Sequence, residues 1–151
     1  MSDPLYKKEL LRLAADAHAA GHLAHPDATG QAHNPVCGDK VAIDLAIQDG
    51  RIADIAQDTK ACVLTQASAS ILGKSLKGAS REDVETLRSA LHVMLEASGP
   101  VPAAPFGDYA AFEAALAYPS RHICVLLPIE AVLDAFRVSE TGEPEAVWPK
   151  G

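Results

Sequence analysis

The sequence predicts an α+β fold: a small antiparallel sheet, formed by a hairpin over residues 40–57 with one further short strand possible, covered by helices. Three observations predict it. Val41, Ile43, Leu45 and Ile47 alternate with Ala42, Asp44, Ala46 and Gln48, the period of two that marks a half-buried strand. Asp49-Gly50 follows, a dipeptide suited to a type I′ turn, and residues 51–57 run back antiparallel. Beyond residue 80 the period becomes helical. Val84, Leu87, Leu91 and Met94 share one face behind Ser80 and Asp83, which have capping-box spacing.

The other elements follow from local signals. Asp3 and Pro4 open a first helix in the favoured order, and Gly21 is placed to end it. Residues 22–36 are rich in turn formers and are expected to be irregular. A second helix starts near Cys62, with Gly73 or Gly78 as its stop, and the third runs from Ser80 to Gly99-Pro100. After a proline-rich loop, Asp108 caps a short helix that Pro119 breaks near Tyr118. Pro128 disfavours a helix interior, so Cys124 is expected in or just before the first turn of a helix established by Ile129. The reading is one domain over residues 1–151, with a loose tail from about residue 139 in which Trp148 is free to dock. The sheet's alternating face is expected to pack against Val84, Leu87 and Leu91.

Bulk composition narrows the function. The 151 residues are 48% hydrophobic and 22% charged, ordinary for a globular chain. A formal charge of −7 argues against nucleic acid or an anionic lipid surface as the main partner. No apolar run approaches a membrane span, and the N-terminus lacks the basic-then-apolar order of a secretion signal. The 3 cysteines, at long spacings, make no disulfide framework. A cytoplasmic protein with reduced thiols is expected.

Cysteine positions carry the chemistry. Cys37 lies in "NPVCGDK", a stretch of turn formers with Asp39 two positions on. Cys62 sits where strand becomes helix, and free amides at a helix N-terminus favour a thiolate. Antiparallel pairing brings the start of the first hairpin strand beside the end of the second, so Cys37 and Cys62 are expected to be neighbours. Two sulfurs and the Asp39 oxygen make most of a tetrahedral metal site. A lone cysteine is also a small hydrophobe, and that alternative stays open here.

Three segments, "NPVCGDKVAIDLAIQDGRI", "KACVLTQASASIL" and "RHICVLLPIEAVLDA", resemble the IscU/NifU-like family of iron–sulfur cluster assembly scaffolds, which includes the zinc-binding SufU branch. The resemblance covers roughly residues 3–138 and implies an IscU/SufE-like fold. It implies Cys37, Asp39, Cys62 and Cys124 as ligands of a [2Fe–2S] cluster or of Zn2+. It further implies a cysteine desulfurase as sulfur donor and apo iron–sulfur or carrier proteins as recipients. The expected function is scaffold and carrier rather than enzyme. Two alternatives use the same ligands: a SufU-like zinc-bound sulfur acceptor that stimulates a desulfurase, and an interaction protein with a structural metal.

The chain departs from the family at two places. IscU-type members place a histidine directly before the third cysteine; here Ile123 occupies that position and His122 precedes it. SufU-type members have a lysine there, also missing. His122 is therefore carried only as a weak candidate ligand. Ala61 stands where many members have glycine, and no "LPPVK" chaperone motif occurs. Cys124, beside a proline-interrupted helix start, is expected to be the mobile thiol and first persulfide acceptor. His18, His22, His25 and His33, with Lys74 and Lys77, are read mainly as solvated surface, Arg121 equally as surface or as a cation near the ligands that favours thiolates, and the Ala67–Ser70 run as close helix packing.

Overall fold

A computed structural model describes residues 8–36 and 38–141 of the chain. In chain order the elements are α1 (Lys8–Asp16), β1 (Ala28–His33), β2 (Lys40–Gln48), β3 (Arg51–Lys60), α2 (Val63–Ser75), α3 (Arg81–Ala97), a 3-10 segment (Gly107–Ala117) and α4 (Pro119–Thr141). The expected helix start at Asp3-Pro4, Cys37 and the Trp148 tail lie outside the described residues.

The hairpin forms where the alternation placed it. Asp49 and Gly50 both take positive φ, 54° and 75°, as a type I′ turn demands. The β2–β3 ladder runs from Gln48 opposite Arg51 to Lys40 opposite Lys60, with a register shift at Ala46/Ile47. It is therefore three residues longer than expected at its far end. Val41, Ile43 and Leu45 are buried on its inner face.

A third strand occupies part of the stretch expected to be irregular. β1 pairs antiparallel with β2, from Ala28 opposite Leu45 to His33 opposite Lys40, giving the order β1-β2-β3. Its inward positions are Ala28, Gly30 and Ala32, too small to register as hydrophobic alternation. Their size answers to α4. A Cβ on Gly30 would fall 2.2 Å from the Ala135 amide nitrogen and 2.3 Å from the Ala131 carbonyl. The Gln31 amide then donates to Asp134 Oδ2 at 2.8 Å, fixing strand to helix.

Helix ends differ from the expected stops for tertiary reasons. α1 finishes at Asp16, well before Gly21, because Ala17 and Ala19 adopt positive φ, 43° and 64°. The chain there is held by β3 and α2. Gln57 donates from its amide to Ala19 O, Gly21 donates to Gln57 O, and the His18 amide donates to Ser70 Oγ. Gly73 lies inside α2 rather than ending it; a Cβ there would meet the His18 carbonyl at 2.3 Å. The capping box of α3 forms as expected, with Asp83 N donating to Ser80 Oγ and Ser80 N to Asp83 Oδ2.

Further expectations are corrected. α3 does not cover the sheet: α4 lies over β1 and β2, α2 borders β3, and α3 packs behind against α4 and the 3-10 segment. Val84, Leu87, Leu91 and Met94 are buried in that second layer. The segment expected to be capped by Asp108 is 3-10, with Phe106 at its N-cap and no side-chain cap; Asp108 lies inside it and pairs with Lys74, and Tyr109, Phe112 and Ala115 are buried at its three-residue period. The segment ends at Ala117 with Tyr118 as its C-cap, as expected, and Pro119 also begins α4, since proline suits the first helical position. α4 continues through Pro128 to Thr141, so Cys124 lies within a helix and not at its start.

Candidate metal centre

Lys40 opposite Lys60 is the last rung of the hairpin, so the residues just outside it share one edge of the sheet. Asp39 immediately precedes β2. Cys62, two residues beyond β3, is the N-cap of α2, with φ −66° and ψ 169°. Cys124 approaches from α4, which crosses the sheet above them. Asp39 carboxylate oxygen and the sulfurs of Cys62 and Cys124 all lie within 4.8 Å of one another. Three elements thus converge on one point. Asp39 is 7% exposed, Cys124 3%, and Cys62 is half-buried.

Cys37 belongs to the β1–β2 connection. Around it, Asn34 N donates to Asp39 O, Gly38 N donates to Asn34 O, and Val36 N donates to Asn34 Oδ1. These bonds tie Asn34 to the backbone of Gly38 and Asp39.

His122 is not in the converging group. Its Nε2 lies 3.4 Å from the Leu116 carbonyl. Two helical residues correspond to about 200° of rotation, so His122 and Cys124 leave α4 on opposite sides. The other histidines do not assemble a metal site among the described residues. His22 instead bridges Asp44 and Asp58, each at 3.3 Å. Lys74 and Lys77 form surface ion pairs with Asp108 and Asp54.

Thr65 was not singled out from the sequence. It is fully buried and donates through Oγ1 to Asp39 Oδ2 at 3.2 Å, while Cys62 Sγ lies 3.5 Å from Thr65 Oγ1. Its spacing from Cys62 was the available signal: N-cap and third helical position face each other in any capped helix.

The Cys62 thiol is held down to about 6 from its ordinary 9.0. A hydrogen bond from Cys124 contributes most, and the Thr65 hydroxyl and amide add to it; burial and the Asp39 charge push the other way. Behind the sulfurs, Ser68 Oγ donates to the Val125 carbonyl at 2.7 Å and receives the Tyr109 hydroxyl at 2.8 Å. The small residues from Ala67 to Ser70 are all buried, with Ser68 against the Val125 carbonyl of α4 and Ser70 against the His18 amide.

Two soft thiols and a carboxylate at this separation fit a thiophilic ion such as zinc or iron; hard cations select all-oxygen sites. Among the described residues no helix is long and apolar enough to cross a membrane.

Residues 5–125 match the family model of the NifU-like N-terminal domain. The iron–sulfur cluster assembly scaffold protein IscU 1 of Archaeoglobus fulgidus is 34% identical over 82 residues, 54% of this chain and 52% of that protein. The chain thus spans about half the length of that relative. The zinc-dependent sulfurtransferase SufU of Bacillus subtilis is 23% identical over 110 residues, 73% of this chain and 75% of that one. Among solved structures, the N-terminal NifU-like protein of Brucella abortus superposes with a TM-score of 0.87 at 36% identity, covering 93% of this chain and 98% of that one.

Proposed function

The chain belongs to the NifU-like N-terminal domain family, and from that premise we propose that it is a scaffold on which a [2Fe–2S] cluster is assembled and then handed to apo-proteins. The observation that carries the reading is the meeting of Asp39, Cys62 and Cys124 within 4.8 Å from three separate elements. Cys37, on the adjoining loop, completes the proposed ligand set. Thiolates supply affinity for iron, and the harder carboxylate supplies a ligand that exchanges easily. A scaffold has to release its cargo, so one weak ligand serves it better than a fourth cysteine. The role places the protein in the reducing cytoplasm, as a single domain.

Sulfur would arrive as the persulfide of a cysteine desulfurase. A thiolate of this chain attacks the outer sulfur, a new S–S bond forms to it, and the donor's thiolate leaves; no oxidant is consumed. We propose Cys62, rather than Cys124, as the first acceptor. α4 is continuous there, and Cys124 is 3% exposed. Of the two described thiols, Cys62 is half-buried and favours the thiolate, so it is the better-placed nucleophile. Anaerobic reconstitution with a desulfurase, cysteine and ferrous iron is expected to give a coloured cluster that transfers to an apo-protein. No cluster, with Cys37→Ala and Cys62→Ala indistinguishable from wild type, would refute the proposal.

A second reading is favoured by the similarity to the zinc-dependent sulfurtransferase. Here Asp39, Cys62, Cys124 and Cys37 would hold zinc, which polarises and releases a thiol for sulfur acceptance. Stoichiometric zinc in freshly purified protein, with desulfurase stimulation and no cluster transfer, would select it. A purely structural metal predicts unfolding by chelators and no desulfurase binding.

A further inference from the structure

Thr65 carries one hydroxyl proton and has two acidic neighbours. It is 0% exposed, so water cannot supply a substitute donor. The proton goes from Thr65 Oγ1 to Asp39 Oδ2, 3.2 Å away, while Cys62 Sγ stands 3.5 Å from Thr65 Oγ1. A metal replacing the Cys62 proton would engage the sulfur's lone pairs and leave the carboxylate the stronger acceptor for the one hydroxyl proton.

A hydrogen bond to a carboxylate is stronger when the full negative charge remains on it than when a cation shares that charge. The Thr65 bond therefore stabilises the detached Asp39 more than the metal-bound one. We propose that the Thr65 hydroxyl is a latch for Asp39, weakening it as a metal ligand and capturing it when it lets go. The inference rests on the metal-centre reading above and adds a positioning residue to it. Thr65 touches no cargo; it acts through Asp39.

The test uses zinc alone. Zinc-loaded full-length protein is mixed with excess chromophoric chelator, and the release rate is compared for wild type, Thr65→Val and Thr65→Ser, each also in an Asp39→Ala background. Thr65→Val is expected to slow release by about threefold, because only the difference between the bond to the detached and to the metal-bound carboxylate is lost, a part of the full bond's weight. Thr65→Ser keeps the hydroxyl and is expected to restore the wild-type rate. In the Asp39→Ala background the valine substitution is expected to change nothing, the mark of coupling through that carboxylate.

Thermal melts of the metal-free variants confirm that each folds, and Thr65→Ala replaces Thr65→Val should the latter not. Release at the wild-type rate or faster in Thr65→Val overturns the latch. So does a slow Thr65→Ser, or a Thr65 effect that survives without Asp39. A wild type that takes up no zinc or iron overturns the metal reading itself, whereas normal uptake with an unaltered release rate overturns the latch alone.

Discussion

The most direct test of the site's chemistry is the reactivity of Cys62 in metal-free protein. With its pKa at about 6, roughly 90% of Cys62 is thiolate at pH 7, against about 1% for a thiol at the ordinary 9.0. That is a gain of about ninetyfold in the reactive form. A less basic thiolate is also a poorer nucleophile, and a Brønsted slope of about 0.45 over three units returns a factor of about twenty. The net advantage at pH 7 is only about fourfold, so the rate alone is a weak discriminator. The midpoint of the pH profile is the sharp one. Iodoacetamide labelling of Cys62, followed by peptide mass spectrometry from pH 4.5 to 9.5 (about 0.5 per step), is expected to show half-maximal rate near pH 6. Because the largest cause is the hydrogen bond from Cys124, Cys124→Ala is expected to move the midpoint upward, and Cys124→Ser, which keeps a donor, to hold it low. The sign for stability follows. A depressed folded-state pKa contributes stability that is present above 9.0 and is lost as pH falls through about 6. A midpoint above about 8, or one that ignores Cys124→Ala, would refute the argument.

Three further outcomes are expected. Gly30→Ala must push β1 and α4 apart by about 1 Å to relieve contacts with backbone that cannot rotate away, costing about 3 kcal/mol and about 5–10 °C of melting temperature; a melt within about 2 °C of wild type would contradict the close approach. Ser68→Ala removes the side-chain partner of the Val125 carbonyl and the shorter of the two bonds of the buried Tyr109 hydroxyl, a loss of about 1–3 kcal/mol by urea denaturation, while Ser75→Ala on the exposed end of the same helix is expected to be neutral. Asp39→Ala removes the exchangeable ligand, so a reconstituted cluster is expected to stay longer on the protein; transfer to an apo-acceptor at an unchanged or faster rate would show that Asp39 is not the exit ligand.

What the sequence made legible is what short-range chemistry decides. Period-two alternation from Val41 to Ile47, the Asp49-Gly50 turn and the Ser80–Asp83 box each act within a few residues, and all three formed. Cys62 at a helix start and Asp39 beside the hairpin were legible for the same reason. The misreadings share a different cause: each lies where one backbone presses on another from far along the chain. β1 looked irregular because α4, a hundred residues later, demands Ala and Gly beneath it. α1 stopped early because β3 takes its carbonyls and amides, and Gly73 is a crossing point rather than a stop. α4 runs through Pro128 because burial on both sides outweighs one missing amide. These contacts also decide where the third ligand stands. Cys124 has no sequence-local reason to meet Cys62; it does so because Gly30 lets α4 down onto the sheet and the Ala67–Ser70 run lets α2 come alongside. A substitution at either place should therefore disturb stability and the sulfur–sulfur approach together. Gly30→Ala is expected to raise the Cys62 labelling midpoint as well as lower the melting temperature, although residue 30 contributes no atom to the site.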